Sequence, residues 1–256
     1  MGLTSCINGI YCEKLYQDLW IKGAAMQVGG RGCKERYEAI EAHLSKLQGP
    51  FKVLDLGANM GYFSFRLAEN FKGHFVMLEN SSTTTKRLLQ LCLMNANPQI
   101  YFLAARVNLA ELEKILLAEK FDVILALSVI HHFNEPFNDI IATFARHSKY
   151  VILEHANPEE THCPNPNRIK AEPLNLSPYN PIKLCTSTAT GYQHIFRDTY
   201  ALTGSVEASQ KSTPGISLET YSKYSGLYPH PTLLHSLLKK HKDKSLLRLV
   251  EGTIKK

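Results

Sequence analysis

The stretch FKVLDLGANMGYFSFRLAEN, residues 51–70, predicts a buried strand, a tight turn and the start of a helix. Small residues at the joint near Gly57 let backbone N–H groups approach a ligand closely. Gly57 and Gly61 flank Asn59, and asparagine is the non-glycine residue that best tolerates a positive φ. The helix that follows has unpaired N–H groups in its first turn. The stretch therefore predicts a ligand-binding turn between a strand and a helix.

The spacing of the glycines distinguishes several kinds of turn. A dinucleotide-binding turn has the pattern G-x-G-x-x-G, which matches poorly because the spacing here is G-x-x-x-G. A phosphate-binding P-loop ends in Gly-Lys followed by Ser or Thr, and this turn has no such ending. The pattern from Asp55 to Gly61, D-x-G-x-x-x-G, resembles the turn of class I S-adenosylmethionine (SAM) methyltransferases, which accepts the amino-acid end of the cofactor. A purely structural glycine turn is the remaining alternative.

Two further predicted strands end in polar residues. Residues 74–78 form an apolar run that ends on Glu79, where an acidic residue can bind both ribose hydroxyls of an adenosine. Residues 121–128 form another apolar run, which His131 and His132 follow closely. Because ligands bind at the carboxyl ends of the strands in open α/β sheets, the turn, Glu79 and the two histidines are expected to share one crevice. Together these features favour a SAM-dependent methyltransferase.

Alternating strand and helix patterns over residues 50–206 predict the fold class. We expect an α/β fold with a Rossmann-like, doubly wound, mostly parallel seven-stranded sheet that forms the SAM-binding core. Residues 1–49 are expected to form an N-terminal helical cover, with helices over 11–22 and 34–47. The core includes a proline-rich, irregular loop over 155–185, which is either a lid or binding loop or a plain surface crossing.

The C-terminal part of the chain has a different character. Strands over 193–196 and 199–206 are expected to pair as a hairpin at the edge of the sheet. Residues 207–256 are expected to be a basic helical tail, in which the apolar positions after residue 231 predict two short amphipathic helices.

The net charge of +6 is concentrated at the C-terminal end. After Pro231 there are seven basic residues against two acidic ones, so the rest of the chain is nearly neutral. This distribution does not indicate a nucleic-acid-binding surface around the predicted crevice. The basic faces in 231–256 are typical of solvated helices, with a weak contact to an anionic surface as the alternative.

Composition also bears on the compartment and on metals. The sequence has no apolar run of transmembrane length and no secretory leader pattern, so we expect neither feature. The six cysteines form no C-x-x-C pair, which favours free thiols in a reducing, cytoplasmic compartment. His162, Cys163 and Cys185 do not have the spacing of a usual zinc site, and we predict no metal.

A longer set of residues resembles the methyltransferase half of bacterial O-antigen chain-terminator enzymes, which are bifunctional methyltransferase-kinases. The similarity extends from about Tyr16 to Val206 and is most specific in the ungapped spacing from Tyr16 to Arg36. It is carried by Arg31, Cys33, Ile40, VLDLGANMGYFS (53–64), LSVIHHF (127–133), VILE (151–154) and RDTY (197–200). The chain is also similar, more loosely, to enzymes that methylate an RNA end phosphate. The sequence has no kinase segment, so we expect another protein to make any phosphorylated acceptor.

The resemblance implies a role for each candidate site residue. The methionine end of SAM would lie against Gly57, Ala58 and Gly61, with Asp55 positioning the turn, and Glu79 would hold the ribose. The remaining contacts would come from Val107 and Asn108 near the adenine, Ser128 and Val129 beneath the methyl group, and Tyr16 and Arg36 at the cofactor carboxylate or the acceptor.

The chemistry of the acceptor stays open at this point. A phosphate oxygen is already anionic and needs no base, whereas a sugar hydroxyl benefits from a histidine general base. For a hydroxyl acceptor, His131 or His132 would take the proton, and for a phosphate the histidines would neutralise it together with Arg31 and Arg197. We therefore expect a SAM-dependent O-methyltransferase for an anionic acceptor, phosphate-bearing or a sugar, which is either a small molecule or a glycan. The alternatives are a methyltransferase for a small metabolite or an RNA end, and a non-catalytic SAM-binding module.

Overall fold

A central sheet organises the part of the chain that the computed structural model describes, namely residues 15–160, 169, 171–189, 192–205 and 227–228. In chain order the strands are β1 (Leu19–Ile21), β2 (Ala24–Gln27), β3 (Phe51–Leu56), β4 (Gly73–Glu79), β5 (Ile100–Ala104), β6 (Phe121–Leu127), β7 (Ser148–Glu154), β8 (Ile182–Ala189), β9 (Tyr192–Thr203) and β10 (Leu227–Tyr228). The helices are α1 (Lys34–Leu44), α2 (Tyr62–Asn70), α3 (Ser82–Asn95), α4 (Leu109–Ala118) and α5 (Phe137–His147), and short 3-10 helices form at Ile130–His132 and Ser177–Tyr179.

The order of the strands in the large sheet is β10-β5-β4-β3-β6-β7-β9-β8. The five strands from β5 to β7 are parallel, and β9 and β8 are antiparallel to their neighbours. The two-residue strand β10 adds an antiparallel edge to β5. The prediction of a doubly wound, mostly parallel seven-stranded sheet is therefore confirmed, with β10 as a short addition.

Side chains of the central strands point alternately into two apolar layers. Val53 and Val123 belong to the layer covered by α1, α2 and α3, whereas Leu54 and Ile124 belong to the layer covered by α4 and α5. All residues of β3 and β6 are buried. Helices on both faces explain why burial is continuous along these strands rather than alternating. The central strands are thus packed on both faces where their carboxyl ends meet the crevice.

The N-terminal segment differs from the prediction at its start. Residues 19–21 form a strand, not part of a helix over 11–22, and pair with β2 in a small hairpin. Leu19 and Ile21 are buried while Trp20 is half-buried, which is the period of a strand, and Lys22 and Gly23 adopt the positive φ of a tight turn. Residues 11–14 lie outside the described part. The second predicted helix is confirmed as α1, so the cover consists of a hairpin and a helix.

The antiparallel edge also differs from the prediction. A single long strand, β9, replaces the two short strands predicted over 193–196 and 199–206, and its hairpin partner is β8. Strand β8 lies partly inside the segment predicted to be irregular. It starts directly after Pro181. Proline has no N–H to donate to a sheet and is therefore confined to positions such as the beginning of a strand. The two helices predicted over 231–256 lie outside the described residues.

The helices in the described part of the chain are short. The longest, α3, has 14 residues, and none is long and apolar enough to cross a membrane.

Candidate active site

A cavity of about 700 Å³ opens at the carboxyl ends of β3, β4 and β6. This is the edge at which ligands bind in open parallel sheets. The predicted site residues that line the cavity are Tyr16, Gly57, Glu79, Val107, Ser128, Val129, His131, His132 and Arg197. The topology therefore brings the glycine turn, the acidic strand end and the histidine loop to one crevice, as the sequence predicts.

The turn after β3 has the backbone that the glycine spacing predicts. Gly57, Asn59 and Gly61 have φ values of 66°, 53° and 73°, all in the left-handed region. The N–H groups of Gly57 and Ala58 donate to the carbonyl oxygen of Leu78, at 2.9 and 3.1 Å, which fixes the turn against the end of β4. A Cβ at position 57 would lie 2.9 Å from Cγ2 of Val129, so the glycine lets the histidine loop approach the turn.

Ala58 and Gly61 lie beneath the turn and do not line the cavity, contrary to the prediction for them. Ala58 is buried in the apolar layer under the turn. A Cβ at position 61 would lie 2.7 Å from Cε2 of Phe65 and 2.9 Å from Sδ of Met77. These positions therefore hold the turn on the core, and only the upper side of the turn faces the cavity.

Asp55 also lies beneath the turn rather than in the cavity. Its Oδ2 accepts a hydrogen bond of 2.7 Å from Oγ of Ser64 in the first turn of α2. Burial raises the pKa of this carboxyl to about 7, although the Ser64 hydroxyl favours the charged form. Asp55 therefore ties the end of β3 to α2, which agrees with its predicted role of positioning the turn.

Glu79 places its carboxylate on the cavity wall. Oε2 accepts from the backbone N–H of Asn59 at 2.9 Å, and Oε1 accepts from the N–H groups of Asn80 and Ser81 at 2.8 and 2.9 Å. A carboxylate has about four acceptor positions, so these bonds leave room for a ligand hydroxyl. The predicted bond to the ribose remains a prediction, and the orientation of the carboxylate is suited to it.

Ser128 occupies the joint between β6 and the histidine loop. Its φ of 60° is unusual for a residue other than glycine and is held by the surrounding contacts. The Ser128 hydroxyl donates to Oε1 of Glu154, and Nη1 of Arg197 donates to Ser128 Oγ at 2.6 Å. Arg197 also donates from Nε to Oε1 of Glu160 at 2.6 Å. The floor of the cavity is therefore a chain of charged groups joined through a serine hydroxyl.

Glu154 is the centre of this charged network. Its carboxylate is fully buried, with Nη2 of Arg31 2.7 Å from Oε1 and Nη1 of Arg36 3.1 Å from Oε2. Burial opposes ionisation, but the guanidinium groups of Arg36 and Arg31 outweigh it and lower the pKa of Glu154 to about 2. A buried carboxylate requires such partners, because removing an unpaired ion from water costs on the order of several kcal/mol.

Two residues predicted to contact the ligand, Arg36 and Asn108, do not line the cavity. Arg36 does not line the cavity, because its guanidinium is buried against Glu154 and over the ring of Phe63. Asn108 is exposed and also does not line the cavity. Its Oδ1 accepts from the N–H of Glu111 at 2.9 Å and thereby caps α4 in a capping box. Its neighbour Val107 does face the cavity.

The two histidines lie side by side on the 3-10 helix after β6, and both line the cavity. Their ring centroids are 4.4 Å apart. His131 is buried, and burial together with the nearby His132 and Arg197 lowers its pKa to about 3. Its Nδ1 has no hydrogen-bond partner among the residues that the structure describes. His132 is exposed at the cavity surface, and partial desolvation lowers its pKa, while Glu79 opposes this shift. Both rings are therefore neutral at neutral pH.

Several cavity residues were not among the predicted ones. Asn80, Ser81 and Thr84 come from the start of α3, where Ser81 caps the helix by accepting from the N–H of Thr84. The position of Ser81, two residues after Glu79, is a signal for this contact in the sequence. Arg106 and Glu160 also line the cavity. Glu160 has no such signal, because its partner Arg197 is distant in the chain.

Comparison with known proteins agrees with this geometry. Residues 53–150, from β3 to the start of β7, match the model of a family described as "Methyltransferase domain". This segment is a methyltransferase domain. The prediction of a methyltransferase is thereby confirmed for this segment, and SAM as the methyl donor is supported by a structural neighbour that has S-adenosylhomocysteine bound. No curated protein matches the chain.

Solved structures of methyltransferases share the fold. The bifunctional kinase-methyltransferase WbdD is 20% identical and superposes with a TM-score of 0.59 over 79% of this chain and 46% of WbdD. The N-terminal domain of EvdMO1 with S-adenosylhomocysteine (SAH) bound is 14% identical, with a TM-score of 0.57 over 80% of this chain and 98% of that domain. A second structure of the EvdMO1 N-terminal domain was solved in the presence of SAH and D-fucose. It is 14% identical to this chain, with a TM-score of 0.55 over 78% of this chain and 96% of that domain. The chain spans about half the length of WbdD. The methyltransferase domain thus has the fold of the enzyme class that the sequence resembles.

Proposed function

We propose that this methyltransferase domain transfers a methyl group from SAM to a hydroxyl oxygen of a sugar or glycan. The observation that carries the proposal is a neutral, buried histidine, His131, on the cavity wall beside the charged network of Arg197 and Glu160. The cofactor half of the same cavity is supplied by the glycine turn and Glu79. The acceptor half is supplied by the histidine loop and by residues of the antiparallel edge.

The residues on the cofactor side fit an adenosyl group. Glu79 presents a carboxylate at the end of β4 with one acceptor position left for a ribose hydroxyl, and Val107 gives an apolar surface near the end of β5. Gly57 lines the cavity without a side chain, so the turn leaves space for the cofactor there, while the N–H groups of the turn stay bound to Leu78, Glu79 and Gln17. SAM supplies an electrophilic methyl group on a sulfonium, which becomes the thioether SAH when the methyl group leaves.

The two histidines have different charged neighbours, which distinguishes a cofactor side of the cavity from an acceptor side. Arg197 lies near both histidines. The other charged and titratable neighbours of His131, besides His132, are His155 and Glu160, whereas His132 has Glu79 as a neighbour. His132 therefore lies toward the ribose position, and His131 lies toward the antiparallel edge. We assign the acceptor side to His131.

A neutral His131 suits a hydroxyl acceptor. As the oxygen forms its bond to the methyl carbon, its O–H proton becomes very acidic and passes to the imidazole of His131. A protonated ether is a far stronger acid than an imidazolium whose pKa is about 3, so this transfer is downhill. The imidazole is therefore unprotonated at neutral pH and can accept this proton, although a base with a pKa nearer to neutral pH would accept it more effectively. Alignment of the oxygen with the methyl group supplies much of the remaining acceleration.

A phosphate acceptor fits the described cavity less well. Neutral histidines do not balance a phosphate charge, and Arg31 is buried against Glu154 instead of facing the cavity. Arg197 reaches the cavity, but Glu160, Ser128 and Glu154 already bind its guanidinium. Among the described lining residues, Arg106 is the remaining arginine, and it is exposed. The sugar proposed as acceptor also agrees with the presence of D-fucose with EvdMO1, a structural neighbour.

The experiment measures SAH formation from SAM with two acceptor panels, neutral methyl pyranosides and the corresponding hexose phosphates. We expect turnover with members of the first panel. We also expect His131→Ala to lower kcat by about 10²-fold or more, as for the loss of a general base, while its affinity for SAH in calorimetry stays unchanged. Leu117→Ala, an exposed position on α4, is the matched control. Turnover restricted to the phosphates, with His131→Ala as active as wild type, would contradict the proposal and favour a phosphate acceptor.

A further inference from the structure

A second, smaller cavity of about 320 Å³ lies beside the active-site cavity. It is bounded by the segment after β7 and by β9. Arg197 belongs to the walls of both cavities. The ring of His131 in the larger cavity and the ring of His155 in the smaller one are 6.4 Å apart, centroid to centroid. The two cavities are therefore separated by a wall about one side chain thick, on the acceptor side of the active site.

One wall of the smaller cavity is aromatic and accessible. Phe196 is 51% exposed, although most phenylalanines in the described part of the chain are buried. Asp198 and Tyr200 follow at a period of two along β9, so they project from the same face of the strand. Leu174 adds apolar surface to the cavity. An exposed aromatic face next to polar side chains matches the two sides of a pyranose ring, which has apolar C–H faces and a rim of hydroxyls.

Asp198 is held in a fixed orientation at this wall. Its Oδ1 accepts from Oγ1 of Thr186 at 2.7 Å and lies 2.8 Å from Nζ of Lys183, while its Oδ2 accepts from the hydroxyl of Tyr200 at 3.0 Å. These partners outweigh burial and lower the pKa of Asp198, so the carboxylate is ionised. Because a carboxylate has about four acceptor positions, three partners leave capacity for a ligand hydroxyl.

Asn157 is held on the other side of the cavity. Its Nδ2 donates to the carbonyl oxygen of Phe196 at 2.8 Å, and its Oδ1 accepts from the N–H of Glu159 at 2.9 Å. An amide group has two donors and about two acceptor positions, so one N–H and one lone pair stay available. The cavity thus combines an aromatic face with a rigid acceptor and a rigid amide. Binding sites for small molecules commonly have this composition.

We propose that the smaller cavity is a saccharide subsite, which binds the sugar unit adjacent to the one that is methylated. This inference rests on the proposed function and deepens it, because it makes the acceptor a glycan chain rather than a free monosaccharide. Phe196 packs against the apolar face of the neighbouring sugar, and Asp198 and Asn157 bind its hydroxyls. Arg197 is shared by both walls and sets the spacing between the two sugar units.

The test measures sugar binding to the full chain loaded with SAH by saturation-transfer NMR. The probes are two monosaccharides, D-fucose and methyl α-D-glucopyranoside, and the trisaccharide maltotriose. We expect the trisaccharide to bind about tenfold more tightly than either monosaccharide, a gain that corresponds to about 1.4 kcal/mol. Phe196→Ala should remove this gain without changing the affinity of the monosaccharides. Since Phe196 is exposed, its replacement does not open the core. Leu117→Ala, exposed and outside the lining of both cavities, should behave like wild type.

The outcomes separate this inference from the proposed function. Normal SAH affinity in calorimetry with no gain from chain length, or a gain that Phe196→Ala leaves intact, would overturn the subsite alone. Failure of the wild-type protein to bind SAH would overturn the proposed function, and the subsite with it. A trisaccharide signal that disappears in Phe196→Ala but persists in Leu117→Ala supports the subsite.

Discussion

The carboxylate of Glu79 accepts a hydrogen bond from the backbone N–H of Asn59, with 2.9 Å between Oε2 and the nitrogen. This bond joins the end of β4 to the top of the glycine turn after β3. The same carboxylate accepts from the N–H groups of Asn80 and Ser81, where α3 begins. Glu79 therefore shapes the turn and at the same time faces the position that we assign to the ribose.

The first prediction concerns the affinity for the cofactor. Glu79→Ala should weaken SAH binding at least about tenfold, because hydrogen bonds to a charged group contribute about 1.5–3 kcal/mol each. Calorimetric titration of the purified protein measures the change. Glu35→Ala, an exposed glutamate on α1, is the control and should bind SAH like wild type. Equal affinity in wild type and Glu79→Ala would remove Glu79 from the cofactor site.

The second prediction concerns the free energy of unfolding after glycine-to-alanine changes. It separates the cost of steric crowding from the cost of backbone strain. Gly23 has a φ of 81° and nothing within 4 Å of an added Cβ, so Gly23→Ala should cost only the conformational strain of about 1–2 kcal/mol. Gly61→Ala adds contacts of 2.7–2.9 Å to Phe65, Leu88 and Met77, and should cost about 1–3 kcal/mol more. Urea unfolding measures both costs.

Gly57→Ala should behave differently from Gly61→Ala. The added Cβ would press on the side chain of Val129, which can move with the histidine loop. We therefore expect a loss of methyl transfer that exceeds the loss of stability. Comparison of kcat with the urea midpoint checks this, and a stable Gly57→Ala protein with normal kcat would show that the loop does not need its present position.

The parts of the site that the sequence predicts are those set by local patterns. Strands β3, β4 and β6 are mostly apolar in sequence. The residues at or directly after their ends, Gly57, Glu79 and Ser128, reach the cavity because strand direction alone places them there. The capping role of Asn108 was also readable, since Asn followed three residues later by Glu is a capping box.

The charged network under the cavity was not predictable in the same way. Arg36 and Glu154 are separated by 118 positions in the chain, and no local pattern pairs them. A buried arginine and a cofactor-binding arginine look alike in sequence, because both need an anionic partner. The β1–β2 hairpin was not predicted for a different reason. Leu15 and Leu19 have the spacing of a helix, and the alternation of buried and half-buried residues that marks a strand is visible only in the structure.

The third prediction concerns the pH dependence of stability at Asp55. Its pKa is raised to about 7 by burial, so the folded protein keeps a proton that the unfolded chain releases above about pH 4. Stability therefore falls as the pH rises from about 4 to about 7, by a total of about 4 kcal/mol. Asn cannot ionise, and Asp55→Asn should gain stability relative to wild type over this range. Urea unfolding at several pH values measures the difference.

Asp198 supplies a control of opposite sign for Asp55. Lys183 and its hydrogen-bonding neighbours lower the pKa of Asp198 despite some burial, so its contribution to stability is present above its ordinary pKa and is lost on acidification. Asp198→Asn should therefore lose stability relative to wild type as the pH rises. If the difference between wild type and Asp55→Asn does not depend on pH, Asp55 is already ionised in the folded protein.

The last prediction concerns Glu154, whose buried carboxylate balances three guanidinium groups. Glu154→Gln keeps the shape but leaves Arg31, Arg36 and Arg197 without their shared charge. We expect a loss of about 3–5 kcal/mol in the free energy of unfolding, as for other buried pairs from which one partner is removed. Because the pKa of Glu154 is lowered to about 2, wild type keeps this advantage at neutral pH and loses it as the pH falls below about 4.5.

Glu38 provides the matched control for Glu154. Its carboxylate lies 3.8 Å from Nζ of Lys34, and both side chains are exposed. Glu38→Gln should change the free energy of unfolding by less than about 1 kcal/mol, since exposed ion pairs contribute little. Similar losses in Glu154→Gln and Glu38→Gln would mean that water enters the network and replaces the missing charge. In that case Ser128 and Arg197 would not be held rigidly beneath the acceptor, and the preorganised floor of the cavity would have to come from β6 and β9 alone.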